Sequence, residues 1–203
     1  HPIGRGSMKC RIRAGVLCVL VVVFWAMVAA AADAVKKDVD VGKLKPMDSE
    51  LKVKVGEQAP DFTLKSITGK SVTLSEFREK NNVVISFIPA AWAAICSDQW
   101  PGYNIAKDIF QKNDAVLLGI SVDNIPALHA WVTQMDGLWF PVLSDFWPHG
   151  AVASKYGVLR SDGIAERAVF IVDKKGKIRF IGLQDINTRP PLEEIVKELE
   201  KIK

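Results

Sequence analysis

Cysteine is scarce in this chain. Three occur in 203 residues, Cys10, Cys18 and Cys96, and no two of them form a Cys-x-x-Cys pair. Cys96 is followed by Ser97-Asp98-Gln99, so an ordinary dithiol exchange activity lacks its second thiol. Metal-ligand spacing, a Walker loop and a dinucleotide fingerprint are absent too. No metal or other cofactor is therefore expected. A strong charge of one sign is also missing. The formal net charge is +4, but Arg5, Lys9, Arg11 and Arg13 stand against Asp33 alone in residues 1–34, which leaves the remainder near +1. That gives no footing for nucleic acid as a partner. Internal repeats and low-complexity tracts are lacking as well.

The long apolar run is confined to the N-terminal part. Residues 1–7 read as an expression scar, because Met8 starts a plausible native chain. A basic flank, Lys9 to Arg13, then precedes 19 uncharged residues, Ala14 to Ala32. Ala30-Ala31-Ala32 and Ala32-Asp33-Ala34 both fit a small-x-small cleavage site. Residues 8–34 are thus expected to be a signal peptide, or an uncleaved membrane anchor, since the run nearly suffices to span a bilayer. In both cases the basic flank stays in the cytoplasm and the following domain is exported, to the periplasm or the outside. Cys18 follows Leu17, where a lipoprotein signal needs a small residue. Residues 35–54 are polar and charged and read as a linker or loosely docked arm. Cleavage would leave Cys96 as the one cysteine of the mature chain. Such a chain has no internal disulfide framework, and an oxidised Cys96 would need a thiol from another molecule.

Residues 55–203 suffice for one domain with its own core. Strands are expected at Phe62–Lys65, Ser71–Thr73, Val83–Ile88, Ala115–Val122, Pro141–Leu143, Ala168–Val172 and Ile178–Leu183, the last two joined by the hairpin signal Asp-Lys-Lys-Gly. Helices are expected after a Ser75 cap, from Ser97 to about Gln111, from Pro126 to about Met135, near Ala151–Tyr156, and from Leu192 to Ile202. This order implies an α/β domain, a mixed sheet with helices on both faces.

The most informative stretch is VVISFIPAAWAAICSDQW, Val83 to Trp100. A buried β-branched strand is stopped by Pro89, and Cys96 stands where a helix begins. A helix start carries unpaired N–H groups and partial positive charge, which favours the thiolate, the nucleophilic form. Cys96 is thus a candidate reactive thiol; the alternative is a small, inert buried residue. Trp92 and Trp100 flank it by four residues each, either as core or as an apolar collar. His149 and His129 have no recognisable partner residue and read as structural.

The stretch resembles the active-site loop of peroxiredoxins, Pro-x-x-x-Thr/Ser-x-x-Cys, with Pro89 and Cys96 at the right spacing and Ala93 in the Thr/Ser position. VGEQAPDFTL (Val55–Leu64), FPVLSDFWPHGAVASKYGV (Phe140–Val158) and GIAERAVFIVDKKGKIRF (Gly163–Phe180) extend the resemblance across residues 55–203, most closely to the one-cysteine alkyl hydroperoxide reductase E type. It implies a thioredoxin-like fold, although Glu166-Arg167 stands where a thioredoxin has its cis-proline. It implies a thiol peroxidase acting on hydrogen peroxide or organic hydroperoxides, reduced by an external thiol (a thioredoxin-like or glutaredoxin-like protein or a small thiol), and a homodimer. Cys96 would be the nucleophile, Arg167 a fixed positive donor, and Pro89 the shaper of the loop. Ile95 and Cys96 N–H groups would meet the peroxide near Trp92. Ala93 lacks the hydroxyl that orders peroxide in the family; Ser86 or Ser97 could substitute. The alternative function is a redox scaffold or binding protein with weak or lost peroxidase activity.

Overall fold

The computed structural model describes residues 42–202, and β3, Asn82–Phe87, explains its layout. All six residues are buried, and alternate side chains point to opposite faces of a strand. Val83, Ile85 and Phe87 enter one core with Phe62, Leu64, Tyr156 and Phe170. Val84 and, just beyond the strand, Ile88 enter a second core with Cys96, Trp100, Tyr103, Phe110 and Trp131. A strand buried on both faces must lie inside a covered sheet.

The other strands are β1 (Thr63–Ser66), β2 (Ser71–Thr73), β4 (Ala115–Ser121), β5 (Val142–Ser144), β6 (Ala168–Val172) and β7 (Ile178–Leu183). They form one mixed seven-stranded sheet in the order β2-β1-β5-β4-β3-β6-β7. β3, β4 and β5 are parallel; β1 and β6 run against them. The carboxyl ends of β3 and β4 therefore lie on the same edge, the usual place for a site in such sheets. The helices are α1 (Ala94–Ile105), α2 (Lys107–Lys112), α3 (Ile125–Gln134), α4 (Ala151–Tyr156) and α5 (Leu192–Glu200). The mixed, doubly covered sheet expected from the sequence is present.

Several boundaries differ from the sequence reading. The helix expected from Ser97 begins three residues earlier, so Cys96 is its third residue. It is broken at Ala106 and continues as α2. Pro101 sits inside α1 without ending it. The short helix near Ser75 is a 3-10 turn, Leu74–Phe77, whose N-cap is Thr73. There the Glu76 carboxylate accepts from the Thr73 N–H at 3.4 Å, and the Ser75 N–H donates to Asp61. α3 starts on Asn124, whose side chain accepts from the Ala127 N–H at 2.9 Å, with Pro126 in the first turn.

Residues 42–54, expected as linker or loose arm, pack against the body of the domain. The Lys52 N–H donates to the Tyr156 carbonyl at 3.2 Å, and Val53 is buried. Gly157 shows how close the approach is. A Cβ there would lie 2.2 Å from the Glu50 carbonyl oxygen, and its φ of +75° independently favours glycine. Of the two readings, linker and docked arm, these residues follow the second, with backbone groups and carboxylates on fixed partners across the surface. The proposed signal peptide or anchor and the scar lie outside the described residues. Among the described residues no helix is long and apolar enough to cross a membrane.

Candidate active site

Three elements converge on Cys96. Two residues beyond β3 lies buried Pro89, which has no N–H to continue the ladder. The following turn is fixed from the loop after β4, where the Asp123 carboxylate accepts from the Ala91 N–H at 2.8 Å. Trp92 then takes a left-handed conformation, φ +59°, and its indole N–H donates to Gln134 on α3 at 2.9 Å. A bulky residue in that region is strained, and such strain clusters at functional sites. Ala93 is extended and N-caps α1 without a side-chain bond. The first bond of the helical ladder is the Ser97 N–H to the Ala93 carbonyl, 3.0 Å. The N–H groups of Ala94, Ile95 and Cys96 have no backbone acceptor among the described residues, the ordinary state of a helix start. Ala93 has no hydroxyl to accept from the Ile95 or Cys96 N–H group.

Cys96 is fully buried. Arg167, 2 % exposed, reaches it from the start of β6: Nη1 and Nη2 both lie 3.5 Å from Sγ. Nη1 also donates to the Gln99 Oε1 at 2.6 Å, and Nε donates to the Ile186 carbonyl at 3.0 Å. The guanidinium is thus held on both sides and presents a planar fork of donors to the sulfur. Arg167 does not pair with either nearby carboxylate, Glu166 or Asp173. Glu166 points to the other face and pairs with Arg160 at 3.0 Å, and Asp173 pairs with Arg179 at 2.6 Å.

Of the residues singled out from sequence, Cys96, Arg167, Pro89, Ala93, Ile95 and Trp92 lie on this loop, helix start and facing strand. The two tryptophans part company. Trp92 is half-buried at the rim, while Trp100 is core, stacked at 5.3 Å on Trp131 and edge-on to Phe140 at 5.9 Å. Ser86 does not replace the missing hydroxyl beside Cys96. Its Oγ accepts from Trp100 Nε1 at 3.2 Å and from Gln99 Nε2 at 3.3 Å, under the helix. Ser97 Oγ accepts from Trp131 Nε1 at 3.3 Å. His149 contacts the Gly163 carbonyl at 2.6 Å, and exposed His129 lies on α3.

Sequence reasoning missed Gln99. It lies one helical turn after Cys96 and is fully buried, and it ties Arg167 to Ser86 and to the Tyr103 hydroxyl, to which it donates at 3.1 Å. The i,i+3 spacing from Cys96 was the available signal, since it puts both on one helix face. Tyr103 is buried, which pushes its phenol up to about 12 and keeps it neutral beside the arginine. Among the described residues no group of three or more histidine, cysteine or carboxylate side chains is placed to hold a metal ion. A cleft of about 760 Å³ lies at the other end of the parallel strands, by Asn82, Asp114 and Lys174, away from Cys96.

Chemically, the arrangement can hold an anionic sulfur, aim it along the helix start, and offer donors to an oxygen beside it. The model of the AhpC/TSA family matches residues 55–181. Alkyl hydroperoxide reductase E of Mycobacterium tuberculosis is 44% identical over 127 residues, covering 62% of this chain and 82% of that protein. Peroxiredoxin-1 of Gallus gallus is 32% identical over 154 residues, 70% of this chain and 76% of its own. Among solved structures, Mycobacterium tuberculosis AhpC superposes with a TM-score of 0.66 at 25% identity, covering 73% of this chain and 92% of that one. Peroxidoxin BcpB from the same organism gives 0.67 at 25%, covering 74% and 98%. The shared architecture is the thioredoxin-like fold.

Proposed function

The chain belongs to the AhpC/TSA family and is a peroxiredoxin, and from that premise we propose that it is a one-cysteine thiol peroxidase working outside the cytoplasm, with Cys96 as the peroxidatic residue. The observation that carries the reading is the Arg167 guanidinium, with two nitrogens 3.5 Å from the buried Cys96 sulfur. The Cys96 thiolate attacks one oxygen of a hydroperoxide in line with the O–O bond. That bond breaks, the sulfur becomes sulfenic acid, and the departing oxygen takes a proton and leaves as water or alcohol. The Ile95 and Cys96 N–H groups and the second N–H of Arg167 Nη2 are the donors for the oxygens as charge moves to the leaving one. Pro89 and the Asp123-pinned turn hold the loop in place.

Recovery uses an external thiol. It attacks the sulfenic sulfur, water leaves, and a mixed disulfide forms; a second thiol then releases Cys96 and departs as the oxidised disulfide. Cys96 is the one cysteine among residues 42–202, which supports this route. The basic flank and apolar run of residues 8–34 support export, by a cleaved signal or with an anchor retained. A homodimer fits the family; Phe146 and Trp147, 48% and 83% exposed, supply apolar surface after β5, on the same sheet edge as Cys96. One observation favours a second reading, a scaffold with weak peroxide chemistry: Ala93 leaves the helix uncapped and the site without its hydroxyl.

Peroxide consumption with and without a small thiol, in the parent and in Cys96→Ser, tests the proposal. Thiol-dependent consumption that vanishes in the serine variant is expected. Equal consumption by both proteins would sink it.

A further inference from the structure

Both fixed points behind Arg167 lead to the same place. Its Nε donates to the Ile186 carbonyl, and the Ile186 N–H in turn donates to the Pro46 carbonyl at 3.1 Å. The next residue, Asn187, clasps Leu44 from both sides. Its Oδ1 accepts from the Leu44 N–H at 3.0 Å, and its Nδ2 donates to the Leu44 carbonyl at 2.8 Å. On the other flank, Glu166 adjoins Arg167 and is fully buried. It accepts from the Asp48 N–H at 2.6 Å and pairs with Arg160, which donates to the Lys45 carbonyl at 3.1 Å. The Asp48 carboxylate is held by Lys45 at 2.7 Å and accepts from the Ser161 N–H at 3.0 Å and from its hydroxyl. The Lys45 bond, then those from Ser161, keep Asp48 well below the usual carboxylate range.

Leu44 to Asp48 therefore grip the chain on both sides of Arg167. Both Leu44–Asp48 and Ile186–Asn187 lie outside residues 55–181, the part that matches the family model. We propose that the arm Leu44–Asp48 is a strap that sets the position of Arg167 against Cys96, with Asn187 as the positioning residue that fastens it. Arg167 is one of the largest fully buried side chains, and both of its terminal nitrogens lie 3.5 Å from the sulfur. A small drift of the 184–188 loop would withdraw the Ile186 carbonyl and let the guanidinium turn away. Misplacement of a reacting group by about 1 Å can cost on the order of a hundredfold in rate. The strap makes the reactivity of a sealed thiol depend on a surface segment that continues directly from the N-terminal part of the chain.

This inference rests on the reading of Arg167 as the partner of the Cys96 thiolate, and the test separates the two. Asn187→Ala is made in the full chain and in Arg167→Ala, and Cys96 oxidation by hydrogen peroxide is timed in all four proteins. Asn187→Ala should slow the reaction roughly tenfold when Arg167 is present and leave it nearly unchanged when Arg167 is absent, because the strap acts only through that side chain. The same four proteins are timed with iodoacetamide, which needs a thiolate but no peroxide chemistry. There too the effect should require Arg167. A parent that ignores peroxide would defeat the peroxidase reading, and the alkylation cycle would still decide the strap. Equal slowing in both backgrounds, or none in either, would overturn the proposal. If Asn187→Ala fails to fold, Asn187→Ser keeps a short polar group beside Leu44 without setting a second carboxylate against Asp185, to which Asn187 Nδ2 donates at 2.8 Å; a smaller effect with the same dependence on Arg167 is then expected, and its independence of Arg167 overturns the strap.

Discussion

At the scale of single residues the account turns on Arg167 and Ala93. Arg167→Ala removes two donors from the Cys96 sulfur and orphans the Gln99 carbonyl oxygen. A hydrogen bond to a charged group contributes about 1.5–3 kcal/mol, so the rate of Cys96 with peroxide should fall by roughly a hundredfold in stopped flow. Ala93→Thr should act twice. As an N-cap in extended conformation, the hydroxyl would stabilise α1 by about 0.5–2 kcal/mol, read from urea unfolding. As the restored family hydroxyl, it should raise the peroxide rate by about tenfold, the kinetic worth of one transition-state hydrogen bond. A stability gain with no rate gain would assign Ala93 to the helix alone. Both tyrosines of the sequence, Tyr103 and Tyr156, have phenols raised by burial, Tyr103 to about 12. The unfolded chain releases those protons near pH 10. Their contribution to stability is therefore full below that value and is lost as pH rises from there through the folded values. Ultraviolet titration should show no tyrosinate in the native protein at pH 10, and both tyrosines ionising near it in denaturant.

At the scale of elements, β3 and α1 carry the site, and they were unequally legible. The run Val83–Ile88 is short, β-branched and stopped by proline, which leaves little choice but a buried strand. The helix start was harder. Pro101 and Gly102 suggested irregular first turns, yet α1 begins at Ala94 because Ala93 can be extended and the Asp123 and Gln134 contacts fix the turn before it. Those partners come from the loop after β4 and from α3, and no local signal announces them. Ile186 was invisible for the same reason, since its role exists only once the loop after β7 lies beside Arg167, and Gln99 had only its i,i+3 spacing from Cys96 as a signal. Cys96 stood out by its spacing from Pro89 and its place at a helix start, and Arg167 only through the resemblance of Gly163–Phe180 to the family. Packing beneath α1 yields a further prediction. The Trp100 ring lies on Gly119 of β4, where a Cβ would come within 2.7 Å of it. Ring and sheet cannot both stay in place, so Gly119→Ala should destabilise the fold by about 1–3 kcal/mol and alter tryptophan fluorescence. Unchanged unfolding in urea would mean that Trp100 is free to move.

At the scale of the whole molecule, one buried thiol is joined to a docked arm, and the arm to the N-terminal part of the chain. Polar, alternating Lys and Asp in residues 35–54 left a linker and a loosely docked arm both open, because the partners that decide it, Glu166, Ser161 and Asn187, are more than a hundred positions away. Repeated turnover should need an added thiol, and non-reducing gels of the oxidised, processed protein should show no internal disulfide. The central claim is that Cys96 is the peroxide-reactive group, and one measurement tests it most directly. The reduced full chain receives less than one equivalent of hydrogen peroxide in the presence of an equal amount of free cysteine, and the cysteine peptides are weighed by mass spectrometry. The account predicts a single added oxygen on the Cys96 peptide, with Cys10, Cys18 and the free cysteine largely spared. Oxygen spread over all the thiols, or a Cys96 peptide left unmodified, would contradict it.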